Sequence, residues 1–213
     1  MVDIVKNFQN IRSSINNSNV NIIAVSKTFS LDKIKPLVDI GHNHFGENKV
    51  QEAKIKWLNI RRDNSRLQLH MIGKLQTNKV RDAVELFDYI HSVDNEKLAT
   101  ALAKYENVLK KRKKYFIQVN IGNESQKSGI DINELSDFYL FCKKISLNIV
   151  GLMCIPPNDK NSKNYFIELS KLNKSLDLSQ ISMGMSADYL DAIECGSTFV
   201  RVGSAIFGDR LAK

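Results

Sequence analysis

Cysteine is scarce in these 213 residues, and the three present, Cys142, Cys154 and Cys195, form neither a C-x-x-C pair nor an even set. That excludes a disulfide-stapled fold, argues against structural zinc and fits a reducing cytosol. Long apolar runs are missing too. Uncharged stretches such as 21–26 reach about a third of the length a membrane span needs. The opening Met1-Val-Asp-Ile-Val-Lys-Asn carries charge at Asp3 and Lys6 and lacks the apolar core of a secretory signal. No linker, repeat or low-complexity tract divides the chain. The expectation is one cytoplasmic domain, 1–213, that is monomeric and makes no contact with membranes.

Arginine is the next shortage. The net charge of +8 invites a nucleic-acid reading, but only eight of the 31 basic residues are Arg. Base recognition and bidentate phosphate clamps favour Arg. The one dense basic run, Lys110-Lys-Arg-Lys-Lys114, falls between a helical stretch and the apolar Tyr115-Phe-Ile-Gln-Val-Asn120. Cations in a last helical turn complement the helix dipole, so the run reads as a solvated helix end. No nucleic-acid partner is expected.

What the chain has is ample apolar material, 43%, with an ordinary 25% of charged residues. A chain this long buries roughly 70% of its unfolded surface, enough for a substantial core. Short β-branched runs predict strands at 20–25, 44–45, 67–72, 89–93, 115–120, 148–152, 180–182 and 199–202. Helical stretches alternate with them at 30–40, 48–59, 78–86, 96–113, 132–145, 162–176 and 186–194, and one more, 3–15, precedes the first strand. Ser30 is the expected N-cap of its helix, Gly41 and Gly196 lie just past helix ends, and Pro36 marks a later start for the first of the alternating helices. Eight strands that are apolar almost throughout, each followed by a helix, indicate a parallel sheet buried on both faces. The count favours a single closed (β/α)8 barrel with an extra N-terminal helix, near the lower size limit of that fold.

In such barrels the working residues sit at the carboxyl ends of the strands, with phosphate often held after strands 7 and 8. Asn21-Ile-Ile-Ala-Val-Ser-Lys27 delivers a lysine to the end of strand 1. Partial desolvation there would favour a neutral, nucleophilic amine suited to Schiff-base formation; the plainer alternative is a lysine snorkelling at a strand end. Ser186 follows strand 7, either as an anion ligand or as an ordinary helix cap. Gly203 and Ser204 follow strand 8, where bare backbone and helix N–H groups can meet an anion. Arg201, between valines, implies a buried guanidinium that needs a partner. An amine, an anion cradle and a fixed cation together suit pyridoxal 5'-phosphate. It would supply an aldehyde for Lys27, a phosphate for the loops and a ring nitrogen for Arg201.

The sequence also resembles the pyridoxal phosphate homeostasis protein family, whose barrel is similar to the N-terminal domain of alanine racemase. The resemblance covers nearly the whole chain. It rests on Ala24-Val-Ser-Lys27, Phe45-Gly-Glu-Asn-Lys-Val-Gln-Glu52, His70-Met-Ile-Gly-Lys-Leu-Gln-Thr-Asn-Lys79, Gln118-Val-Asn-Ile-Gly122, Gly151-Leu-Met-Cys-Ile-Pro-Pro157, Ser182-Met-Gly-Met-Ser186 and Val200-Arg-Val-Gly-Ser-Ala-Ile-Phe-Gly208. It implies that Lys27 carries the cofactor as a Schiff base. It also implies phosphate contacts from Ser186, Gly203 and Ser204, with Arg201 facing the pyridine nitrogen. Lys74 departs from the pattern without touching these positions. Asn48 either faces the cofactor edge or caps the helix beginning there, and His70 is either a pocket residue or a satisfied core histidine. The loop 123–129 looks functional without an assigned chemistry, and His42, His44 and His91 show no metal-ligand spacing.

Racemisation needs a proton removed from one face and returned to the other. The resemblance implies that a racemase would take its second base, a tyrosine, from a further domain. This sequence ends at Lys213, ten residues after Gly203, so that domain is expected to be missing. Arg201 at the ring nitrogen would also weaken the electron sink. The expectation is a non-enzymatic protein that stores or delivers pyridoxal phosphate, with PLP-dependent apoenzymes as partners. The alternatives are a single-domain amino-acid racemase and a basic module for anionic partners.

Overall fold

The computed structural model describes residues 2–16, 19–124, 126–159 and 161–208. Loop residue Ser125 and the terminal stretch 209–213, to which two sequence readings refer, lie outside them.

Eight parallel strands close into a barrel in chain order, and the last pairs with the first through Ile22 with Val200 and Ile23 with Arg201. They are β1 (Asn21–Val25), β2 (His44–Glu47), β3 (Gln68–Met71), β4 (Tyr89–Val93), β5 (Lys114–Val119), β6 (Ile149–Cys154), β7 (Gln180–Ser182) and β8 (Phe199–Val202). All eight expected strands are present, and the fold is the (β/α)8 barrel that their alternation with helices implied. The outer helices are α1 (Ile4–Ser14), α2 (Leu31–Asp39), α3 (Val50–Asp63), α4 (Val80–Leu86), α5 (Glu96–Leu109), α6 (Leu135–Lys144), α7 (Ser162–Ser175), α8 (Tyr189–Glu194) and α9 (Ser204–Phe207). Among the described residues no helix is long and apolar enough to cross a membrane.

The strands divide their side chains between two cores, because successive residues point to opposite faces. Ile22 and Ala24 of β1, with Val200 and Val202 of β8, join the large core between barrel and helices. Ile23 and Phe199 point inward, meeting Tyr89, Phe116 and Met153 in a small lumenal core. Gly151 of β6 is required by this closure, since a Cβ there would stand 1.8 Å from the Gln180 carbonyl oxygen.

Helix ends depart from the sequence reading for local reasons. α2 starts at Leu31, so Pro36 does not mark its start but stands inside it, removing one backbone bond. Ser30 holds the N-cap position without a side-chain capping bond. α5 stops at Leu109 rather than Lys113, where Lys110 turns left-handed (φ 53°). Buried Glu106 then gathers the Lys113 N–H at 2.5 Å and the Arg112 guanidinium at 3.2 Å. The basic run is thus the tied-down exit of a helix. The short α9 escapes the sequence reading because four residues show no periodicity.

Candidate functional site

Lys27 leaves the carboxyl end of β1 on a turn that a polar network holds from both sides. On one side, the Ser26 N–H donates to the Gly46 carbonyl at 3.0 Å and its hydroxyl to Glu47 Oε1 at 2.7 Å. On the other, Thr28 takes a left-handed φ of 69°, unusual for a β-branched residue. Its N–H donates to Glu52 Oε1 at 2.6 Å. Lys56 of α3 ties both sides together, reaching the Ser26 carbonyl and Glu47 Oε1 at 2.9 Å and Glu52 Oε1 at 3.0 Å. Trp57 Nε1 donates to the same Glu47 oxygen at 3.0 Å. Burial raises the Glu52 carboxyl pKa, but the bonds from Thr28 and then Lys56 outweigh it and hold the group below its ordinary value.

Glu47 is fully buried and Lys56 only 8% exposed, so neither charge can turn to water. Lys56→Met should therefore leave an uncompensated buried carboxylate and destabilise the protein by about 3–5 kcal/mol. Urea unfolding would record this as a lower midpoint with an unchanged slope.

Strands β7 and β8 supply the opposite wall. Gly184, after β7, has φ 88°, and a Cβ there would lie 2.5 Å from Ala192 Cβ; only glycine suits this turn. The turn delivers Ser186, which does not cap the next helix: α8 begins later, at Tyr189. Instead the Ser186 hydroxyl reaches across to the loop after β8, accepting from the Gly203 N–H at 3.2 Å and the Ala205 N–H at 3.4 Å. Hydroxyl and backbone donors thus converge at the start of α9. Arg201 is buried beneath, donating to the Ser182 hydroxyl and the Cys154 carbonyl, both at 2.8 Å.

Lys27, Ser186, Arg201, Gly203 and Ser204 line one cavity of about 590 Å3, walled by apolar side chains including Val25, Phe29, Ile72, Ile155 and Met185. Five of the six residues singled out from the sequence meet there. The sixth, Asn48, lines a neighbouring cleft with Lys49, Gly73, Lys74 and Lys79. It is not the N-cap of α3, whose cap position is Lys49, and its Oδ1 is buried without a partner. His70 is a core residue with both ring nitrogens bonded, to His44 at 2.9 Å and His91 at 3.0 Å. No cluster of potential metal ligands occurs among the described residues. In the loop that looked functional, Lys127 donates to the Pro156 carbonyl, just after β6, at 3.2 Å.

A closed eight-stranded barrel with a lysine after β1 and an anion-type cradle after β7 and β8 defines a class. Residues 2–211 match the model of the alanine racemase N-terminal domain. The class has members of different kinds, and the curated relatives narrow it. A pyridoxal phosphate homeostasis protein of Vibrio cholerae is 38% identical over 91% of this chain and 86% of its own. One from Escherichia coli is 33% identical over 99% of this chain and 98% of its own. This chain belongs to the family of pyridoxal phosphate homeostasis proteins. Among solved structures, PipY of Synechococcus elongatus, with PLP bound, superposes with a TM-score of 0.89 at 34% identity, covering 97% of this chain and all of PipY. Alanine racemase of Clostridium difficile shares the fold at 16% identity and a TM-score of 0.79; the match covers 99% of this chain but 58% of the racemase.

Proposed function

We propose that this chain binds pyridoxal 5'-phosphate and holds it as a Schiff base on Lys27, acting as a single-domain store or donor in intracellular vitamin B6 homeostasis. The carrying observation is the cavity lining: one primary amine, one buried guanidinium and a hydroxyl-and-backbone cradle. The donor set suits the cofactor. Its aldehyde carbon would take the Lys27 amine with loss of water, its phosphate would lie at Ser186, Gly203 and Ser204, and Arg201 would face its ring nitrogen. The volume lies within the ordinary range for small-ligand sites. PipY, a similar protein, carries PLP in the same fold.

The same lining argues for carriage over catalysis. Racemisation needs two proton-transfer groups, one on each face. Lys27 and Arg201 are the only titratable side chains lining the cavity among the described residues, and a guanidinium stays protonated. A cytoplasmic monomer that hands its cofactor to apoenzymes accords with this reading. The test is a visible spectrum of the protein titrated with pyridoxal phosphate, followed by a panel of amino acids scored for racemisation. A saturable absorption band with turnover at background is expected. A racemase-like turnover number on any common amino acid would overturn the carrier reading, and absence of a band would overturn the cofactor reading.

A further inference from the structure

Barrel interiors of this kind are normally filled by branched aliphatic side chains. This one contains a row of histidines. His44 Nδ1 lies 2.9 Å from His70 Nε2, His70 Nδ1 lies 3.0 Å from His91 Nε2, and His91 Nδ1 lies 2.9 Å from the Ser182 hydroxyl. The row runs from the amino-terminal end of β2 through β3, β4 and β7 to Arg201 on β8, whose guanidinium donates to that hydroxyl at 2.8 Å. The rings stack on the lumenal aromatics, His70 on Tyr89 (centroids 4.5 Å apart) and His91 on Phe116 (4.3 Å).

The other end of the row poses an electrostatic problem. Arg201 is buried, and among the described residues no carboxylate stands within ion-pair distance of it; Asp188 acts on it only from farther away. A buried cation with no counter-charge in contact is costly unless oriented dipoles surround it. Two acceptors meet it, the Cys154 carbonyl and Ser182. Arginine can only donate, and Ser182 has one hydroxyl hydrogen to pass on. Passing it to His91 Nδ1 puts the His91 hydrogen on Nε2, facing His70 Nδ1, and the same logic puts hydrogens on Nε2 of His70 and His44. The reverse orientation would point a His91 N–H at Ser182 and leave its hydroxyl hydrogen without an acceptor. Burial also holds both inner rings, His70 and His91, well below the ordinary histidine pKa, which keeps them neutral.

We propose that the His44–His70–His91–Ser182 row is an oriented dipole chain that takes the place of a carboxylate beside Arg201, positioning the guanidinium for the cofactor's ring nitrogen without neutralising it. This rests on the pyridoxal phosphate reading for its ligand but not for its geometry. A carboxylate in Ser182's place would cancel the cation; a neutral chain with its acceptor end toward Arg201 steadies the charge and leaves it for the ligand. The row's members are positioning residues, since only Arg201 lines the cavity.

Two measurements test this. Nitrogen-15 NMR of the ligand-free protein at neutral pH should show His44, His70 and His91 each carrying hydrogen on Nε2. Protonation of His91 on Nδ1 instead would overturn the proposal. Second, Ser182→Ala, which removes one oxygen, should weaken pyridoxal phosphate binding about tenfold or more and shift the visible band of the bound cofactor. His91→Phe keeps the stack on Phe116 and should act in the same direction; it stands in if the first variant does not fold. Wild-type affinity and an unshifted band in a folded variant would sink the idea. Failure of the wild type to bind pyridoxal phosphate would count against the functional reading, leaving the tautomers to decide the dipole chain.

Discussion

Lys27→Ala should emerge colourless after incubation with pyridoxal phosphate, with no cofactor fixed by borohydride. A Schiff base needs a primary amine, and Lys27 is the only lysine lining the cavity among the described residues. The other cation present, Arg201, is a guanidinium already committed to Ser182 and Cys154. Of the other lysines close to the site, Lys56 is committed to Glu47, Glu52 and the Ser26 carbonyl, and Lys49, Lys74 and Lys79 line the adjacent cleft. In the wild type, borohydride followed by peptide mapping should therefore place the label on the Lys27 peptide alone. The variant should lose the whole covalent signal while keeping a weaker non-covalent hold, because the phosphate cradle survives at about 1–3 kcal/mol per bond to a charged group. Cells relying on the variant should show the same disturbance of vitamin B6 pools as cells lacking the protein. An unchanged band in the variant, or label on a lysine of the neighbouring cleft, would refute the assignment.

The route from sequence to site was open where chemistry is local and closed where it depends on barrel closure. Strand positions were legible because a strand buried on both faces must be apolar almost throughout, and Val20 to Val25 is. The same property hid the inward-facing residues, since a strand apolar on both sides shows no alternation. His44, His70 and His91 belong to three neighbouring strands, and only the register between those strands brings them into one line. His44 and His91 read as histidines without metal-ligand spacing and His70 as either a pocket or a core residue, and neither reading joins the three. Ser186 carried two readings, anion ligand or helix cap, and only the second fails. A serine before a helical stretch reads as a cap, whereas here its hydroxyl crosses to the loop after β8. Lys56 gave no signal at all: a lysine on α3 looks like a solvated face until Glu47 and Glu52 are seen around it.

Buried histidines, the three of the row and His42 beside them, also make the fold sensitive to acid. All four histidines in the sequence have depressed pKa values in the folded state. Burial is the leading cause each time, lowering His42 and His44 to about 4 and His70 and His91 well below the usual value. Arg12 and Arg201 add repulsion at His42 and His91, while Asp88 offsets part of the effect at His44 against Lys114. In the unfolded chain each ring takes a proton near pH 6.5. Between about pH 6.5 and 4 the unfolded state therefore binds more protons, so stability is fully present above that window and lost as pH falls through it. Each ring contributes a slope of up to about 1.4 kcal/mol per pH unit, or roughly 1.5–2 kcal/mol between pH 7 and 5. His42 and His44, whose values fall to about 4, together cost about 3–4 kcal/mol, a large part of the 5–15 kcal/mol that typically holds a domain folded, and His70 and His91 act in the same direction. Urea midpoints measured at pH 7, 6 and 5 should fall steeply. His44→Phe, which keeps a ring beside Phe199, should remove one histidine's share of the slope. A midpoint that does not move between pH 7 and 5 would mean that these rings are charged, or already open to water, in the folded barrel.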